Sequence, residues 1–216
     1  MSGNELKRSK LFGVLDVLGN LFVLNLIYIL FSLPIVTIGA STTAMYSVTI
    51  KMVRKEDGPL WAGFVKEFKG TFARATKLWF IILGVLACVF AQYLIVVNYP
   101  GTLADIYLVV IVIELLLIFV GIPFIFPLQA RYDNGVISTI KNAFLLSVSG
   151  LGACIKINIA WIGPIALSII YPKLFLFTWY FWLILFFALI AYMASFSANR
   201  IFDKVEEAAS DKESQS

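Results

Sequence analysis

Long apolar runs broken by short charged stretches set the rhythm of this chain. A helix needs about 20 predominantly apolar residues to cross a bilayer, and four runs qualify: Leu78–Asn98, Leu103–Phe126, Ala143–Ile170 and Leu174–Asn199. A fifth extends from about Val14 to Leu33 and stops at Pro34. Residues 41–53 are helix-compatible, but they are short and rich in Ser and Thr. The pattern predicts an all-α, polytopic transmembrane helix bundle in a single domain over residues 1–202. Its helices fall at about 14–33, 41–53, 78–98, 103–126, 143–170 and 174–199. Beyond residue 202 the chain turns polar without an apolar face, so 203–216 reads as a disordered cytoplasmic tail.

Cations change the picture by fixing the count of crossings. Loops on the cytoplasmic side collect Lys and Arg. Lys7, Arg8 and Lys10 precede the first run, and Lys51, Arg54, Lys55, Lys66, Lys69, Arg74 and Lys77 precede Leu78. Six membrane helices, the second short, place both clusters inside, with both termini cytoplasmic and fifteen of the 17 cations on that face. Five crossings with an external N-terminus is the alternative. The apolar run after Lys10 is too long for a signal-peptide core, so the segment reads as retained.

Local chemistry supports a hairpin after the first run. Pro34 ends or kinks the helix, and Gly39 permits a close approach or a left-handed turn. Ser41 can cap the next helix, and small hydroxyl residues favour helix packing in lipid. With Thr37, Pro34 and Gly39 form the candidate hairpin motif. Two basic segments, Phe64–Phe72 and Val136–Phe144, resemble each other, and both fit amphipathic interfacial helices at the inner surface.

Composition then narrows the function classes. The 216 residues are 61% hydrophobic and 14% charged, with mean hydropathy +0.92, against roughly 25% charged in soluble domains. No clustered basic module for nucleic acid is present. There is no histidine, which removes the usual zinc, haem and triad chemistry. Cys88 and Cys154 read as small buried hydrophobes. No catalytic, cofactor-binding or metal residue is assigned and no cofactor is expected; the chain does not read as an enzyme.

Two ionisable residues lie deep, Glu114 and Lys156. Counted along continuous helices from their shared loop, each stands roughly 20 Å from the inner surface. A lone charge at mid-bilayer costs about 2.5–3.5 kcal/mol on insertion scales. The expectation is an intramembrane charge pair between Glu114 and Lys156, helped by Asn158 or Asn25. It serves either to fix helix register or as a solute site. Ser147 and Ser149, on the same predicted helix, are poorly placed for a Ser–Lys hydrolase.

The stretches "LPIVTIGASTTAMYSVTIKMVRKEDG", "FVKEFKGTFARATKLW" and "RYDNGVISTIKNAFLLS" together resemble the YesL-like family of bacterial membrane proteins of unknown function. The Pro34–Ala40 motif is the most specific part of the likeness. The resemblance implies a bacterial plasma-membrane protein encoded near carbohydrate ABC importers, and it supplies no functional residues. The expected function is thus a non-catalytic accessory of ABC-type carbohydrate uptake. Its partners are the lipid bilayer and importer permease subunits, met through the basic segment Lys51–Lys77 or the small-residue helix after Pro34. No P-loop for ATP is present. The alternative is a small transporter or channel using Glu114 and Lys156, oligomeric because six helices leave little room for a path.

Overall fold

The structure, a computed structural model, describes residues 3–56 and 58–213. Every regular element among them is helical: α1 (Gly3–Ser32), a 3-10 turn (Ile35–Thr37), α2 (Ile38–Val53), α3 (Leu60–Asn98), α4 (Thr102–Arg131), α5 (Val136–Ser149), α6 (Leu151–Ile170), α7 (Pro172–Phe181), a π-helical turn (Trp182–Phe186) and α8 (Phe187–Glu213). Five segments are long and apolar enough to cross a membrane: Phe12–Ser32, Leu60–Asn98, Thr102–Arg131, Leu151–Ile170 and Phe175–Ala208. The chain is therefore a multi-pass membrane protein by length and composition. The expected six-helix count exceeds the five that reach spanning length; the extra member, α2, has 16 residues.

The fold is organised around α2. Every residue from Gly39 to Ile50 is buried, enclosed by α1, α3, α4 and α8. Its buried threonines satisfy their hydroxyls within the chain, whereas the hydroxyls of Ser41 and Ser47 have no partner. Thr42 donates to the Ile38 carbonyl (2.7 Å) and Thr43 to the Gly39 carbonyl (2.9 Å). Thr49 meets Ser195 of α8 at 2.8 Å. Large apolar side chains close the shell, among them Leu21, Leu24, Phe64, Leu78, Phe124 and Phe202. Phe31 packs edge-on against Trp61, Phe64 and Phe68.

Several boundaries differ from expectation. The basic segment 64–72 is the first part of α3, which continues unbroken into the apolar run. The run 143–170 is broken at Gly150, where α5 ends and α6 begins. Ser41 lies inside α2 rather than at its cap, with its hydroxyl unpartnered. Cys88 is exposed while Cys154 is buried, and both are free. The tail expected to be disordered from residue 203 is helical to Glu213, because Asp203 and Glu206 are anchored to Arg131. Residues 214–216 of that tail lie outside the described residues.

Candidate functional site: polar ties within the bundle

The hairpin motif is a packing node. Thr37 Oγ1 donates to the carbonyl of Phe31 (2.5 Å), an acceptor left bare where α1 ends, and to that of Pro34 (2.7 Å), which also accepts from the Thr37 amide. Trp79 Nε1 donates to the Ile35 carbonyl at 2.9 Å, which ties the turn to α3. Gly39 is present for close approach. A Cβ there would lie 2.5 Å from the Ala75 carbonyl oxygen and 2.6 Å from Trp79 Cβ. Pro34, Thr37 and Gly39 thus hold α1, α2 and α3 together and leave no room for a ligand at the glycine. The small-residue helix α2, one of the two expected partner surfaces, is closed off by the same burial.

The expected pair of Glu114 and Lys156 does not form. Glu114 of α4 accepts from Gln92 Nε2 of α3, 3.0 Å from each carboxylate oxygen. Lys156 is exposed and joins none of the ion pairs among the described residues. Two physical reasons account for this. The break at Gly150 invalidates a depth counted along one continuous helix. The inward stripe of α6 runs through Cys154, Ile157 and Asn158, all buried. Two residues from Cys154 means about 200° around the helix, which turns Lys156 to the opposite face.

The two asparagines expected beside that pair serve the backbone instead. Pro123 inside α4 has no N–H, so the carbonyl of Phe119, four residues earlier, loses its helical donor. Asn158 Nδ2 supplies one at 2.9 Å, with Cys154 Sγ at 3.6 Å from the same oxygen. Asn25, wholly buried, spans the π-helical turn, where the shift to i→i+5 bonding changes the ladder. Its Nδ2 donates to the Leu183 carbonyl at 2.7 Å, and its Oδ1 accepts from the Ala188 amide at 3.0 Å. Irregular backbone in a membrane helix is tolerated where neighbouring side chains satisfy it in this way.

A polar cluster not expected from sequence closes one end of the bundle. The Arg131 side chain is only 8% exposed. It donates to Asn199 Oδ1 (3.0 Å), Asp203 Oδ1 (2.9 Å) and Glu206 Oε2 (2.8 Å). Its guanidinium also lies over the rings of Tyr132 and Phe202. Tyr132 donates to Glu206 Oε1 at 2.5 Å. Burial, reinforced by that carboxylate, pushes the Tyr132 phenol up to about 12. The available signal was the spacing of Asn199, Asp203 and Glu206, which places them on one face of a helix.

Two clefts touch members of these groups. One of about 230 Å³ beside Glu114 is walled by Ile82, Val85, Ile118, Gly121 and Phe144. Another of about 530 Å³ is lined by Tyr132, Asn142, Phe202 and Glu206. No group of three potential metal ligands is found among the described residues.

No curated protein and no solved structure matches the chain. The family described as "Protein of unknown function, DUF624" matches residues 21–93. That stretch contains Asn25, the Pro34–Gly39 turn, all of α2 and the part of α3 packed on it. The match agrees with the resemblance to the YesL-like family, the DUF624 integral membrane proteins of unknown function, whose motif is carried by Pro34–Ala40.

Proposed function

We propose that this chain is a non-catalytic accessory protein of the bacterial plasma membrane, acting beside the permease subunits of an ABC-type carbohydrate importer. The contact surface is the outer hairpin formed by residues 83–118. The observation that carries the reading is the division of labour between polar and apolar surface. Arg131, Asn25, Asn158 and Thr37 use their hydrogen bonds to hold helices together. The hairpin, by contrast, is exposed over most of its surface, including Phe90, Val97, Val109 and Leu116, and is suited to other membrane helices. The sugar-uptake setting comes from the family resemblance. Both termini lie on the cytoplasmic side in this reading, as the distribution of cations favours.

Cys88 provides a native handle, since it is exposed on the hairpin. A photo-crosslinker attached there in native membranes is expected to capture a permease subunit. Mild-detergent purification of the tagged chain is expected to recover the same subunit. Stoichiometric recovery of the chain with neither result rejects the reading.

A further inference from the structure

Of the seven cations between Lys51 and Lys77, Lys55 is exposed in the turn before α3, and the other six fall into two groups. Lys51 pairs with Glu67, Arg54 with Glu56, and Arg74 with Asp133. Lys66, Lys69 and Lys77 are exposed and have no acidic partner among the described residues. At 3.6 residues per turn these three fall within an arc of about 80° on α3. The buried residues Phe64, Thr71, Ala75 and Leu78 occupy the opposite side.

The same face changes character within one turn. Up to Lys77 its charged members are the three lysines; beyond it the face presents Phe80 and Ile81, 52% and 44% exposed. A single exposed stripe that passes from ammonium groups to large apolar side chains, with no break in the helix, matches the boundary between headgroups and hydrocarbon. The stripe suits surroundings that are apolar at Phe80 and Ile81 and anionic at Lys77 one turn below. Exposed Phe72 lies beside the stripe, about one and a half turns before Lys77, where aromatic side chains collect at membrane interfaces.

We infer that this face of α3 is a docking surface for anionic phospholipid headgroups. Lys77 is the principal contact, followed by Lys69 and then Lys66. The order follows from distance: Lys69 lies about 12 Å and Lys66 about 16 Å along the axis from Lys77. Lysine stems lean toward a boundary, and surface attraction decays over a Debye length of about 8 Å at physiological salt. The paired cations Lys51, Arg54 and Arg74 contribute little, because their charge is met within the chain.

The test uses the full chain in nanodiscs of phosphatidylcholine, with and without phosphatidylglycerol, and measures phosphatidylglycerol retained around the protein. A lysine at the surface is worth about fivefold in preference. The wild-type chain is expected to enrich phosphatidylglycerol over phosphatidylcholine, and high salt to abolish the enrichment. Lys77→Gln is expected to lose the largest share and Lys66→Gln the smallest, while the triple variant loses nearly all. Lys173→Gln, at the start of α7, is expected to keep it. Unfolding in phosphatidylcholine alone shows that the variants remain folded. Absence of enrichment, or equal enrichment in the triple variant, overturns the inference. Lysine-dependent binding of soluble polyglutamate without phosphatidylglycerol enrichment also overturns it, and assigns the face to an acidic protein segment.

Discussion

The knot around α2 and the outer hairpin of residues 83–118 are both helical and apolar, yet they are built on different terms. In the knot, small residues bring backbones together, and the threonine hydroxyls and the Asn25 amide meet partners inside the chain. In the hairpin, bulky aliphatic side chains face outward and the two helices are tied by Gln92 and Glu114. Glycine shows the contrast most directly. A Cβ at Gly39 would collide with α3, whereas one at Gly84 would meet nothing within 4 Å. In the knot specificity resides in shape. In the hairpin it is left to whatever surrounds the protein.

The sharpest way to break this comparison is to add one carbon to each region. Gly39→Ala is expected to destabilise by about 3 kcal/mol, the upper range for overpacking, because the obstructing atoms are backbone and Cβ and cannot swing aside. Gly84→Ala is expected to be neutral or to gain up to about 0.5–1 kcal/mol, since glycine weakens a helix interior. Thermal unfolding in nanodiscs measures both, and equal effects would erase the distinction.

Asn25→Leu keeps the volume but strips the π-helical turn of its partner. A loss of about 1–3 kcal/mol is expected for the buried groups left unsatisfied, with faster hydrogen exchange at Ala188. Arg131→Met removes the cation that anchors the α8 extension. The acids it binds are about half exposed, so only about 1 kcal/mol is expected, read as faster exchange over residues 203–213.

Glu114→Gln in the hairpin and Lys156→Met on α6 are each expected to change stability by less than about 0.5 kcal/mol. Large, non-additive losses in the two single variants and the double variant would reinstate a direct pair. The last effect concerns pH. The Tyr132 phenol is raised from 10.0 to about 12 in the folded chain, so folding favours its protonated form. That contribution is complete below pH 10 and is lost as pH rises through 12. Tyr132→Phe should blunt the alkaline decline in stability over that window.

The spanning segments were legible because hydropathy over 20 residues is a one-dimensional signal. The Pro34–Gly39 turn was legible because proline and glycine act on their own backbone. Pairing partners were not. The error over Lys156 arose at a single glycine, Gly150, whose break changes which face of α6 points inward. The Arg131 cluster was missed because Asp203 and Glu206 look solvated in a charged tail, and only the packing of α8 on α4 brings them to the arginine. Asn158 and Pro123 lie 35 positions apart, and nothing local in either stretch announces that one repairs the other.

That repair has a consequence for biogenesis. α4 is synthesised well before α6, so it leaves the translocon with a bare acceptor at Phe119 that lipid tails cannot satisfy. The deficit persists until Asn158 arrives, which makes docking of a later segment a condition for settling an earlier one. Insertion of this chain is therefore coupled across elements, and truncation after α4 should leave a nascent product that quality-control proteases recognise.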